Sequence, residues 1–304
     1  WCKPVEFTCE ANPESLTAEF AAALAKVGVT RVSLGVQTLD NAELTAIGRI
    51  HDANRALAAI TMVRDAGLDV SCDLMCGLPG QTAVSWQRTL DGVLAAAPHH
   101  VSVYPLTLEE GTPLYRMACR DESLEPDEDF QAACMDTARE RLGAAGYHPY
   151  EVASYALDGH ECAHNIAYWT GRGYLGLGRS AAGMLDAEDF DRLAGLFPDV
   201  PARGDAYRVR LVQRDDDATA FDAEYLSQRE AAAEDLMLAC RMTRGIGPDL
   251  LVRLASVIAA DELAAACDRA LELGLATWVP DYIEGHAGRV ISKDVIAGRV
   301  RARL

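Results

Sequence analysis

Positive charge is scarce in this chain. Lys and Arg number 28 against 46 Asp and Glu in 304 residues, a formal net charge of −18 at pH 7. Nucleic-acid binding needs clustered cations against the phosphates, so this balance excludes a broad nucleic-acid surface. Only the tail is basic, with Arg289, Lys293, Arg299, Arg301 and Arg303, and it reads as a solvated, cation-rich last helix. No run approaches the roughly 18 to 20 uninterrupted apolar residues of a membrane span. No basic segment followed by an apolar one marks the chain for export. Nine cysteines, an odd number at irregular spacing, exclude a disulfide framework and suit a reducing cytoplasm. The chain opens on Trp1, with a strand-like Val5–Glu10 directly after it, so it reads as the later part of a longer protein.

What is present is an ordinary globular profile, 50% hydrophobic and 24% charged, long enough for one large core or two domains. Strands and helices alternate through the first hundred residues. Val5–Glu10, Arg31–Val36, Val70–Met75 and His100–Tyr104 read as strands. Helices run from a Thr17 cap to Val27, from Asn54 to Ala66, and from the Gly77–Gly80 turn toward Pro98. Asp40 followed by Glu43 resembles a capping box. This rhythm predicts a parallel sheet, either a barrel or an open doubly wound sheet. Beyond Thr112 a long helix is expected to end near Ala145. Residues 186–221 read as an acidic linker or insertion, and the chain is expected to be helical again from Asp222. The spacing of Leu250, Leu251, Leu254, Leu263, Leu271 and Leu275 predicts a mostly helical, winged-helix-like cap over 222–304.

In a parallel barrel the reactive face lies at the carboxyl ends of the strands. Those ends carry Glu10, Gln37, Asp73 and Tyr104, and Arg49 and His51 follow the second strand. Any one of these is an ordinary loop residue, but four polar positions at corresponding strand ends point to a shared ligand site. Their chemistry suits recognition. Carboxylates accept from hydroxyls or an amino group, and a guanidinium clamps a carboxylate. An amino-acid nucleoside presents that mixture.

Six motifs then occur in order: Glu10-Ala-Asn-Pro13, Ser33-Leu-Gly-Val-Gln-Thr38, Ile47-Gly-Arg-Ile-His51, Asp73-Leu-Met-Cys-Gly-Leu-Pro-Gly-Gln-Thr82, Val103–Thr112 and His164-Asn-Ile-Ala-Tyr-Trp169. Together they resemble the radical-SAM family that contains the heme chaperone HemW and oxygen-independent coproporphyrinogen III oxidase. The resemblance implies a partial parallel (β/α) barrel over residues 1–115, completed by a family-specific extension over 116–185. It implies S-adenosylmethionine (SAM) and a 4Fe-4S cluster as cofactors, with Glu10, Gln37, Arg49 and Asp73 as SAM contacts. His164 is the candidate heme contact, although a His beside Tyr168 and Trp169 is commonly a packed core residue.

Two departures from the family stand out. Its Cys-x-x-x-Cys-x-x-Cys motif is missing and is expected upstream of Trp1, so no metal ligand is assigned in this chain and the chain alone is expected to be inactive. Cys72 and Cys76 share a strand, about 13 Å apart, too far for one small cluster. In Gly176–Gly183, Ala182 stands where relatives carry a histidine. The sequence therefore favours a HemW-like protein of heme binding and transfer, with heme or coproporphyrinogen and a heme-acceptor protein as partners. Coproporphyrinogen oxidation and a non-catalytic tetrapyrrole or partner scaffold remain the alternatives.

Overall fold

The computed structural model describes residues 6–178, 180–214, 217, 220–274, 276–279 and 299–302. The chain divides into two compact units, Trp1–Ala163 and His164–Leu304. The expected boundaries at 115, 185 and 221 do not coincide with this division.

The first unit contains β1 (Thr8–Ala11), α1 (Ala18–Lys26), β2 (Arg31–Gln37), α2 (Asn41–Ala46), α3 (Ala53–Asp65), β3 (Asp69–Cys76), α4 (Ala83–Ala96) and β4 (His100–Pro105). It continues through α5 (Pro113–Ala118), α6 (Glu128–Ala144), β5 (His148–Pro149) and β6 (Ser154–Ala156). The strands make one sheet in the order β1-β2-β3-β4-β6-β5. β1 to β4 run parallel, and the last two join antiparallel. Side-chain oxygens of Thr17, Asp40, Asp52, Thr82, Thr112 and Asp127 cap α1 to α6, each worth about 1 kcal/mol.

The alternation along the strands settles the architecture. Val32, Leu34 and Val36 of β2, Val70, Cys72, Leu74 and Cys76 of β3, and Val101 and Val103 of β4 are fully buried. They form one core with Ala21 of α1, Ile60 of α3, Leu90 of α4 and Leu142 of α6. A fully buried Val or Leu contributes about 1.5–3 kcal/mol, so this is the face that holds the sheet to its helices. The intervening positions are polar: Glu10 pairs with Ser33, Ser33 with Ser71, Ser71 with His100, Asp73 with Ser102, and Ser102 with Ser154. A doubly wound sheet has helices and apolar side chains on both faces. One apolar face and one polar face fit the open wall of a partial (β/α) barrel instead.

The second unit contains α7 (Ala163–Trp169), which begins at the boundary, then β7 (Ala182–Asp186), α8 (Ala187–Leu193), β8 (Arg208–Gln213), β9 (Phe221–Leu226) and α9 (Gln228–Ala239). It ends in α10 (Pro248–Ala255), α11 (Ala260–Glu272), β10 (Ala276–Val279) and β11 (Arg299–Ala302). β7, β8 and β9 form an antiparallel sheet. Residues 186–221 are therefore not a linker. Phe190, Phe197, Val209 and Leu211 alternate inward into a core of their own, a pattern masked by the surrounding acidic residues. Asp222 likewise falls in a strand, because 221–226 pairs with β8. Leu251, Leu254 and Leu263 are buried between α9, α10 and α11 as expected of the cap, with Leu250 and Leu271 at its edge. Leu275, Arg289, Lys293 and Arg303 lie outside the described residues. Arg299–Ala302 pairs antiparallel with β10, so that part of the basic tail is strand and not helix.

An ion pair sets the local geometry of this unit. Arg208, on β8, donates to both oxygens of Asp235 at 2.6 and 3.0 Å and to the Gly171 carbonyl at 2.9 Å. Arg253 reaches the same carboxylate at 2.9 Å. Arg208 and Asp235 are buried, so removing one partner leaves an uncompensated charge. Gly171 has φ +67, and a Cβ there would overlap the Asp235 carboxylate. Gly171→Ala is expected to lower the stability of the chain by about 2–4 kcal/mol. Urea unfolding followed by circular dichroism measures this, and an unchanged midpoint would show that Asp235 moves aside freely.

Candidate functional site

The site grows out of the polar face and the loops that leave its carboxyl edge. Between Leu34 and Gln37 the register of β2 against β3 slips, three residues spanning what two span on the neighbour. Gln37 ends the strand at φ +67, a left-handed conformation that is costly for a residue with a side chain. This turn sends its amide back over Gly35. A Cβ on Gly35 would lie 3.1 Å from Gln37 Nε2 and 3.7 Å from both Arg49 Nη2 and Asn12 Oδ1. Arg49 Nη1 donates to Asn12 Oδ1 at 2.8 Å. An amide, a guanidinium and a second amide thus surround the one position in β2 that carries no side chain.

Three buried side chains, Thr38, Glu43 and Thr89, and the half-buried Gln81 hold these loops. Glu43 Oε2 accepts from Thr38 Oγ1 at 2.6 Å and Gln81 Nε2 at 3.1 Å. Thr89 Oγ1 contacts Thr38 Oγ1 at 3.1 Å and accepts from the Leu39 backbone at 3.0 Å. Gln81 accepts from the Gly77 backbone at 2.7 Å and donates to the Met75 carbonyl at 3.2 Å. The ends of β2 and β3 are therefore tied to each other through side chains. Glu43 spends its carboxylate here and not on the backbone of Asp40, so the expected capping box reduces to a one-sided Asp40 cap.

Asp73 sits on the polar face with its Oδ2 accepting from Ser33 Oγ at 2.9 Å. Burial pushes its carboxyl up to about 6. The Ser33 and Ser102 hydroxyls oppose the rise, and the charge of Glu10 adds to it. Glu10 itself is exposed, on the same face of β1. Tyr104 is also on this face. Burial raises its phenol, Ser102 and Ser154 hydrogen bonds oppose that, and Asp73 and Glu151 reinforce it. Glu10, Gln37, Arg49, Asp73 and Tyr104 thus belong to one face and its edge. His51 does not join them: it is buried, with Nδ1 3.1 Å from Glu14 Oε2, and braces the loop after β1. His164 belongs to the other unit, where its ring packs edge-on against Tyr168 at 5.4 Å and Tyr174 at 5.2 Å. Ala182, the position of the family histidine, is an exposed residue at the start of β7.

Asn12, Ser33, Gly35 and Gln81 lie inside the motifs and Glu43 beside the Asp40 cap, but the sequence assigns none of them, nor Ser102, a place in the site. The alternation of polar and apolar residues in 31–37, 69–76 and 100–104 is the signal that finds the serines. Nothing in the sequence marks the Glu43 network.

The described cysteines do not provide a cluster site. Cys72 and Cys76 both face the helical core from β3, and burial lifts the Cys72 thiol well above its ordinary value and the Cys76 thiol to about 12. Among the described residues no three cysteines gather around one point. Asp69, His99 and His160 do gather, at the opposite, amino-terminal edge of the sheet. There the Val70 backbone N–H donates to His99 Nδ1 at 3.0 Å, so the proton of neutral His99 sits on Nε2 and neither nitrogen is open to a metal. His160 Nδ1 bonds to Asp69 at 3.0 Å, and Arg31 lies 3.6 Å from the same carboxylate. This group braces the sheet.

Because the folded-state value for Asp73 is raised, its contribution to stability is full below the unfolded value near 3.8 and is lost as pH rises through about 6. Asp73→Asn should therefore be more stable than the parent by about 1–3 kcal/mol at pH 8 and no different below pH 4. Urea midpoints across this range measure it, and a variant less stable at pH 8 would contradict the burial of an unneutralised carboxylate.

Residues 2–93 match the Radical SAM superfamily. The chain is 39% identical over 181 residues to the heme chaperone HemW of Mycobacterium tuberculosis, covering 59% of this chain and 46% of that protein. It is 31% identical over 245 residues to HemW of Bacillus subtilis, covering 79% and 61%. It is 40% identical over 181 residues to the mitochondrial radical S-adenosyl methionine domain-containing protein 1 of Bos taurus, covering 59% and 41%. The chain thus spans about half the length of the curated relatives it matches. The structure of coproporphyrinogen III oxidase (HemN) from Escherichia coli, a radical SAM enzyme, superposes with a TM-score of 0.67 at 18% identity, over 98% of this chain and 66% of that one. The fold is shared with HemN, and the chain carries a Radical SAM superfamily match over residues 2–93 and is similar to HemW.

Proposed function

We propose that the polar face of the first unit is a SAM site, and that the intact protein serves heme binding and transfer in the manner of HemW. The carrying observation is that Gln37, Arg49 and Asn12 close over Gly35, on the polar face that also bears the carboxylates of Asp73 and Glu10. This donor set fits an amino-acid nucleoside. Arg49 offers a planar pair of donors to a carboxylate, the Gln37 amide donates and accepts, and Glu10 accepts from ribose hydroxyls. Gln37 is pre-set by its backbone and by the Glu43 network, so little side-chain freedom is lost on binding. In the family, SAM reduced at a 4Fe-4S cluster supplies a 5′-deoxyadenosyl radical. The described cysteines do not fit that cluster, so the role proposed for these residues is to bind and orient the nucleoside.

The heme part of the proposal rests on the relatives named HemW and on the His164-Asn-Ile-Ala-Tyr-Trp169 segment. The proposed ligand is heme, the proposed partner a heme-acceptor protein and the proposed location the cytoplasm. No helix among the described residues is long and apolar enough to cross a membrane.

Equilibrium dialysis with labelled SAM tests the nucleoside site in this chain. Arg49→Ala is expected to weaken binding about tenfold or more, the scale of a charge-assisted bidentate contact, with the fold unchanged by circular dichroism. Equal binding by the two proteins would remove Arg49 from the site. For the intact protein, stable uptake of heme supports the chaperone reading. Conversion of coproporphyrinogen to protoporphyrinogen with SAM and a reductant would replace it by the oxidase reading.

A further inference from the structure

The second unit contains a cleft whose walls include Tyr168, Arg172, Tyr174, Met184, Arg210 and Glu234. Its geometry follows from the end of α7. The Gly171 N–H bonds to the Tyr168 carbonyl at 3.2 Å and the Arg172 N–H reaches back to the Ala167 carbonyl at 2.8 Å, with Gly171 left-handed between them. This closes the helix and launches Arg172 from its carboxyl end, where a cation is favoured. Tyr174 is fastened to Met184 by paired backbone bonds of 2.8 and 2.9 Å. That fixes its ring 6.1 Å from Tyr168.

The other arginines of the cleft are occupied. Arg208 is held by Asp235, and Arg210 is held by Glu224 and Glu234. Arg172 is exposed, and no partner for its guanidinium is found among the described residues. Glu234 is taken up by Arg210, which leaves Arg172 as the cation of the cleft free to meet a ligand. An exposed guanidinium beside two aromatic rings and a methionine suits a ligand that carries a carboxylate on a flat apolar body.

We propose that this cleft is a carboxylate subsite, in which Arg172 clamps a propionate-type carboxylate of a planar tetrapyrrole whose edge lies against Tyr168 and Tyr174. The proposal rests on the tetrapyrrole reading above. It adds a residue outside the six motifs and assigns recognition to the acid side chains of the ligand rather than to its metal.

Absorbance titration of the full chain with hemin and with hemin dimethyl ester tests it, using wild type and Arg172→Gln. Arg172 is exposed, so the variant is expected to keep its melting temperature. Hemin should bind Arg172→Gln about tenfold more weakly than wild type, and the ester should bind both proteins equally weakly. Hemin binding that is identical in the two proteins overturns the subsite while leaving the tetrapyrrole reading intact. Failure of wild type to take up hemin overturns that reading, and 3-phenylpropionate, followed by ligand-observed NMR, then decides the subsite. Binding to wild type that is lost in Arg172→Gln supports a carboxylate subsite for another aromatic acid, and the absence of a difference overturns it.

Discussion

The constraint on which the first unit depends is the period of two along its parallel strands. Helices cover only one face of the sheet, so only one side chain in two can be apolar. Val32, Leu34, Val70, Leu74 and Val101 hold the helices, and the positions between them carry Arg31, Ser33, Asp69, Ser71, Asp73, His100 and Ser102. The same alternation that makes the core compels a polar opposite face. Polar groups there must find partners, and they do: Ser71 with His100 at 2.7 Å, His100 with Tyr150 at 2.8 Å, and Ser33 with Asp73 at 2.9 Å. What remains uncommitted, at the carboxyl edge, is what a ligand can use.

That edge is held against its local preferences. Gln37 is left-handed without being a glycine, Asp73 is buried enough to resist ionisation, and Glu43 is an acid surrounded by neutral donors. Each costs stability, and hydrogen bonds from Ser33 to Asp73 and from Thr38 and Gln81 to Glu43 hold the two acids in place. Strained and partly desolvated groups of this kind concentrate at ligand sites, where pre-set donors are worth more than the stability they forgo.

Much of this was legible in the chain itself. Strands and helices in the first hundred residues follow from apolar periodicity and from the caps at Thr17 and Asp40, and the ordered motifs carry the family resemblance. The helix–sheet choice, barrel wall or doubly wound, needed the alternation of 31–37 and 69–76 to be weighed as one polar face, and reading strand ends alone left it open. The stretch 186–221 reads as a linker or an insertion because its acidic surface residues outnumber the few inward positions, Phe190, Phe197, Val209 and Leu211, whose core excludes the linker. The Glu43–Gln81 network spans 38 residues of chain and rests on geometry that no local pattern encodes. The departure within Gly176–Gly183 shows the opposite limit: a motif difference such as Ala182 is plain in sequence, and the structure adds only that the residue is exposed on β7.

The proposed binding place of an adenosyl amino acid is the surface over Gly35 where Gln37, Arg49 and Asn12 meet. A crystal structure of the chain with S-adenosylhomocysteine tests it most directly. The ligand is expected to lie across Gly35, its carboxylate on Arg49 and its ribose toward Glu10, with Gln37 and Asp73 in contact. A ligand seated elsewhere, or one that leaves Arg49 on Asn12 and Gln37 untouched, would contradict it.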